Sequence, residues 1–143
     1  MLGNTGRYVL GILLSLLLLA GCVSDDSAPL NDLFPPQVGD FLRTSGPAPD
    51  PVTGVDQATY QGGAGSATLR IRRVGAAQID HALSELPPTA TDVGYDAALG
   101  QREGVFFTFG EEFHAAWGNG DWVFILSAGS PSSRVAFLNT YGY

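Results

Sequence analysis

Glu112 and His114 stand two residues apart, a spacing that puts both side chains on one side of a β-strand, and Glu111 adjoins them. A carboxylate and an imidazole so placed are the donor types of a metal site. Zinc sites usually take three or four protein ligands, however, and the other histidine of the chain, His81, falls on a separate predicted helix. The expectation is therefore no metal and no cofactor. Asp80 and His81 are neighbours on that helix and diverge by about 100°, which does not make a catalytic dyad. Ser130, Ser132 and Ser133 lie near a turn of the kind that exposes a nucleophilic serine, but Ser130 followed by Pro131 is the pattern of a helix N-cap. No combination of residues points to an enzyme.

Two further groups have the chemistry of recognition. Arg70, Arg72 and Arg73 form the one basic cluster of the chain, suited to an anionic ligand or lipid, or to cross-strand ion pairs with Glu111, Glu112 or Asp121. Trp117 and Trp122 flank a tight turn and would either fill a core edge or offer an aromatic platform to a ligand or partner. Trp117, Trp122, Arg70 and Arg72 are thus the candidate ligand or partner surface. Gly62, Gly63, Ala64 and Gly65 resemble a phosphate-cradling loop in composition only. No Lys-Ser/Thr follows, and the next element reads as a strand, so the stretch is expected to be a hairpin turn.

The sharpest chemical signal is Cys22, the single cysteine of the chain. A short polar start with one cation, Arg7, leads into the apolar run of residues 8–20, which ends in Leu19-Ala20-Gly21-Cys22. The run has roughly a dozen strongly apolar residues, fewer than the ~20 needed to span a bilayer as a helix, and has the layout of a signal peptide. Its end resembles the lipobox of bacterial lipoprotein precursors: an aliphatic residue, two small ones and cysteine. The resemblance covers the first 22 residues. It implies a signal peptide over residues 1–21, diacylglyceryl attachment to the Cys22 thiol, and a mature chain that begins at Cys22, commonly with an acylated amine. Two or three acyl chains anchor stably where one binds reversibly.

These residues need a scaffold. With 45% hydrophobic and 15% charged residues the chain is too apolar for wholesale disorder, and its length suits one domain. A small, polar and acidic stretch, residues 22–32, reads as the lipidated N-terminus and a flexible tether, and residues 33–143 as a single domain. Strands are expected over 38–44, 55–61, 67–74, 94–99 and 105–109, with Pro47, Pro49 and Pro51 in a loop after the first. The third sets Leu69, Ile71 and Arg73 on one face and Thr68, Arg70, Arg72 and Val74 on the other. Ile79, Ala82, Leu83 and Leu86 recur with helical spacing over 76–86, which Pro87 and Pro88 terminate. Asn119-Gly120 predicts a type I′ hairpin turn that pairs Trp117 with Trp122, Ala115 with Phe124 and Phe113 with Leu126, and on the reverse side Glu112 with Ser127 and His114 with Ile125. A last helix starts at Ser130. The fold class expected is α+β, an antiparallel sheet of five to seven strands with two helices on one face. That layout is loosely similar to small extracytoplasmic α+β modules of bacterial lipoproteins, and the PsbP-like and anti-sigma-factor-associated folds share it.

The net charge of −7 becomes −8 once Arg7 is removed, which excludes nucleic acid as a partner and denies the domain any electrostatic hold on anionic lipid. A covalent anchor supplies that hold. The sequence therefore predicts a lipid-anchored protein of the cell membrane or outer membrane, its domain facing the periplasm or cell exterior. Its expected role is non-enzymatic binding to an envelope protein, or alternatively carriage or sensing of a small ligand.

Overall fold

A computed structural model describes residues 28–74, 84, 86–94 and 102–143. Its strands are β1 (Gln37–Val38), β2 (Phe41–Pro49), β3 (Asp56–Gly62), β4 (Gly65–Arg73), β5 (Thr91–Gly94), β6 (Glu103–Phe109), β7 (Glu112–Asn119) and β8 (Trp122–Ala128), and α1 (Pro131–Thr140) follows them. All eight strands join one antiparallel sheet in the order β1-β2-β3-β4-β8-β7-β6-β5. Two four-stranded meanders thus meet at the β4–β8 pair.

This corrects the α+β expectation of five to seven strands under two helices. The architecture is one eight-stranded sheet and, among the described residues, a single helix. One strand was hidden inside residues 38–44: Gly39, at φ +55°, and Asp40 turn the chain sharply, so Val38 and Phe41 become partners across β1 and β2. β2 then runs on to Pro49, through the segment expected to be a loop. It tolerates its prolines because irregularities between Arg43 and Ser45 and between Ser45 and Ala48, with a cis Gly46-Pro47 bond, interrupt its ladder with β3. Of the helix expected over 76–86 only Ser84 and Leu86 are described, and most of the strand expected over 94–99 lies outside the described residues, as do residues 1–27 with Cys22, and Asp80 and His81.

One face of the sheet carries the main core. Ala58, Tyr60, Leu69, Ile71, Ala115, Trp117, Phe124 and Leu126 are buried there beneath Leu33, Phe34, Phe137 and Leu138. Helix α1 begins as its sequence dictates: Ser130, in extended conformation, accepts from the Ser133 amide at 3.1 Å, and Pro131 follows. The Phe137 ring meets Phe41 and Tyr60 edge-on at 5.4 and 5.2 Å. The chain enters the fold along this face. Three successive carbonyls, those of Leu33, Phe34 and Pro35, accept from Tyr141, Arg43 and Tyr60 respectively, and so fix the entry to α1, β2 and β3.

The reverse face has its own smaller core of Val105, Phe107, Ala116 and Val123, with Val74, Leu86, Ala90 and Ile125 packed on it. Burial on both faces explains why β6 and β7 read as continuous apolar runs, Val105 to Phe107 and Ala115 to Trp117, rather than as alternating strands. Among the described residues no helix is long and apolar enough to cross a membrane.

Candidate functional site

Polar side chains enter the sheet on the reverse face of β4, β8 and β7, and the hairpin register decides which of them meet. The β7–β8 turn is made by Gly120 and Asp121, one residue later than predicted. Gly120 lies at φ +57°, and Asp121 is not in the positive region, so the turn has the single positive φ of type II′ rather than the two of type I′. Asn119 therefore joins the ladder opposite Trp122, Trp117 faces Phe124, and Phe113 faces Ala128. The displacement equals two positions of pairing, so every side chain keeps its face but changes its partner. On the reverse face His114 now stands opposite Ser127 instead of Ile125.

The result is a hydrogen-bonded row across three strands. Arg70 Nη1 donates to Ser127 Oγ at 2.9 Å, and Ser127 Oγ lies 2.9 Å from His114 Nδ1. A hydroxyl has one proton and two lone pairs, so Ser127 can serve Arg70 and either tautomer of the imidazole. Phe107 stacks on the His114 ring, 4.9 Å between centroids and 10° from parallel. His114 and Ser127 are buried, at 6% and 2% exposure. His114 Nε2 faces the other way, 3.9 Å from Glu112 Oε2, and makes no hydrogen bond. Burial pushes the imidazole below its ordinary pKa. The Glu112 carboxylate and the Phe109 carbonyl oppose that, while Arg70 and Arg134 add to it.

Serine, histidine and glutamate in line suggest a hydrolase, but the arrangement has other chemistry. Ser127 is inside the sheet, beyond reach of a substrate carbonyl, and the Arg70 guanidinium donates into the oxygen that would have to attack. Ser127 is also the residue that sequence reasoning missed as a partner of His114. Its signal was the dipeptide Gly120-Asp121, which competes with Asn119-Gly120 for the turn.

The four residues of the expected ligand surface do not share one. Arg70 and Arg72 lie half-buried on the reverse face, whereas Trp117 and Trp122 belong to the main-core face. Trp117 is fully buried, stacked on Phe124, with its Nε1 donating to the Tyr143 carbonyl at 3.1 Å and the Arg102 guanidinium 5.6 Å from its ring. Trp122 is half-buried beneath Arg73, whose guanidinium lies 5.8 Å from the ring and pairs with Asp121 at 2.8 Å. Arg70 differs from Arg73. Its hydrogen-bond partner is a hydroxyl, and no described carboxylate forms an ion pair with it.

The remaining candidates resolve simply. Ser130, Ser132 and Ser133 are linked to one another at the start of α1, and Ser133 donates to the Ala64 carbonyl. Gly62 and Gly65 pair across the β3–β4 turn. Glu111 lies in the β6–β7 turn beside Gly110, which takes φ +63°. Among the described residues no three His, Cys, Asp or Glu side chains gather as a metal cluster.

No family model matches this chain, and no curated protein does. Among solved structures, a GTP binding regulator from Thermotoga maritima is similar, with 13% identity and a TM-score of 0.56 over 80% of this chain and 87% of that one, a likeness that shows a common fold.

Proposed function

We propose that the chain is a bacterial lipoprotein precursor, cleaved before Cys22 and held at a membrane by lipid on that cysteine, whose domain binds another protein of the cell envelope. The observation that carries this reading is the motif Leu19-Ala20-Gly21-Cys22 at the end of an apolar run too short to span a bilayer. The entry to the fold is compatible with it. Leu33 and Phe34 are wholly buried with their carbonyls held, and Ala28 and Leu30 already pack on the core, so the chain is on the domain within six residues of Cys22. A domain on such a lead works beside the bilayer. A binding role rather than a catalytic one is supported by the buried, arginine-capped state of Ser127. The glycines at 62, 63 and 65 do not make a phosphate loop like that of nucleotide-binding proteins: they belong to a strand-to-strand turn, and the start of α1 beside it is closed by Ser130, which caps the Ser133 amide, and by Ser133, which donates to the Ala64 carbonyl.

The test is Cys22→Ser in a bacterial host fed an alkyne-tagged fatty acid. The parent should carry the tag and enter the detergent phase on Triton X-114 partition, and the variant should lose the tag and accumulate unprocessed. Equal partition with no tag on either would mean that the leucine run is a retained helix. Crosslinking on intact membranes should then trap a heteromeric species. Recovery of monomer alone would contradict the partner role. A small-ligand carrier is the second reading, favoured by Arg70, a half-buried guanidinium that forms no ion pair with a described carboxylate. A thermal-shift screen of anionic metabolites against the parent and Arg70→Gln separates the two.

A further inference from the structure

We infer that the β6–β7 hairpin end binds a divalent first-row transition-metal ion between the His114 imidazole and the Glu112 carboxylate. The inference does not depend on the lipid anchor.

It starts from an unmet polar atom. The His114 side chain is 7% exposed, yet its Nε2 has no hydrogen-bond partner, although a buried nitrogen left alone costs about 1–3 kcal/mol. The atom points at oxygen. Glu112 Oε2 lies 3.9 Å away, too far for a hydrogen bond. An ion with bonds of about 2.1 Å at the tetrahedral angle holds two donors about 3.4 Å apart. Closing the gap from 3.9 Å falls to Glu112, whose side chain is 59% exposed and free to rotate. The neighbouring Glu111 adds negative charge at the same turn.

The rest of the row has the form of an outer coordination shell. With an ion on Nε2 the ring proton sits on Nδ1 and donates to Ser127 Oγ at 2.9 Å, while Arg70 donates to the same oxygen. Metal-ligating histidines are oriented in this way by a partner on the other nitrogen. Phe107 stacking fixes the plane of the ring. A nitrogen with one or two oxygens suits zinc, nickel or copper rather than magnesium or calcium. Two side-chain ligands are fewer than in structural zinc sites, so water completes the shell and the ion exchanges. The sequence pattern set this pair aside because it looked for three or four protein ligands.

The test is isothermal titration of the full, tag-free chain in detergent, in a Cys22→Ser background that removes the thiol as a ligand, with ZnCl₂ and with MgCl₂. Zinc should bind saturably at one site per chain and magnesium should not. Glu112→Gln, an exposed change that keeps the fold, should weaken zinc roughly tenfold or more, and Ser127→Ala by about tenfold through loss of orientation. His114→Gln should abolish the site, with far-UV circular dichroism confirming the fold. His81→Gln should leave it intact. Absence of a saturable site in the parent, or unchanged affinity in Glu112→Gln, overturns the proposal, as does loss of binding in His81→Gln.

Discussion

Trp117 and Phe124 stack face to face across β7 and β8, their ring centroids 5.2 Å apart and 8° from parallel. This contact replaces the Trp117–Trp122 pair that Asn119-Gly120 suggests, and it makes the two indoles energetically unequal. Trp117 is wholly buried, and the edge of Tyr141 packs against it at 6.0 Å. Trp117→Ala should cost about 3–5 kcal/mol in urea denaturation, the range for emptying a large core site. Trp122→Ala should cost no more than about 2 kcal/mol. Equal losses would mean that the indoles share the core and that the turn lies one residue earlier.

The sequence was most legible where one face is wet. The third predicted strand placed Leu69 and Ile71 opposite Arg70 and Arg72, as β4 does, because period-two alternation survives wherever the reverse face is only partly covered. Ser130-Pro131 located α1 for a local reason, the capping of free amides. What failed depended on backbone geometry that side-chain patterns do not encode. Gly39-Asp40 broke into the strand expected over 38–44, and Gly120 alone, not Asn119 and Gly120 together, took a positive φ at the hairpin turn. The faces of the hairpin survived that second error because the register moved by an even step. The His114–Ser127 contact did not, and with it went the candidate site.

Gly104 is paired with Trp117 on β6 and β7. A methyl group there would press on the Ala116 carbonyl and approach Trp117 Cβ to 2.7 Å, both belonging to or anchored by the backbone of the neighbouring strand. Gly104→Ala should therefore cost about 3 kcal/mol by overpacking. At Gly63, in the β3–β4 turn, the same methyl meets nothing within 4 Å, and Gly63→Ala should stay within about 0.5 kcal/mol of the parent. Comparable losses from both changes would show that glycine flexibility, rather than space at Trp117, is what the fold needs.

His114 gives the fold a pH dependence whose sign follows from burial. Its folded pKa lies below the ordinary 6.5, so as pH falls past 6.5 the unfolded chain takes up a proton that the folded chain does not. Stability attributable to this residue is complete above 6.5, declines below it, and is exhausted once the pH passes the folded pKa. Urea midpoints measured between pH 7.5 and 5.5 with EDTA present should fall more steeply in the parent than in His114→Gln. His81 is common to both chains and cancels. Parallel slopes would show that the imidazole titrates alike in the folded and unfolded chains, and a shallower fall in the parent would show that Glu112 holds it protonated.

The entry of the chain is fixed most firmly by Tyr141, whose hydroxyl donates to the Leu33 carbonyl at 2.7 Å. Both residues are buried, and burial pushes the phenol far above its ordinary pKa, so the hydroxyl remains a donor at any physiological pH. Tyr141→Phe keeps the ring that packs on Phe137 and Phe124 but leaves a buried carbonyl unpaired, which should cost about 1–3 kcal/mol. The loss should be local as well as global. Native-state hydrogen exchange should quicken first at the amides of Asp32, Leu33 and Phe34, which close turns onto Pro29, Leu30 and Asn31, while β7 and β8 stay protected. Exchange that quickens uniformly would show that the entry segment unfolds only with the whole sheet, and that Leu33 is held by its buried side chain rather than by the Tyr141 hydroxyl.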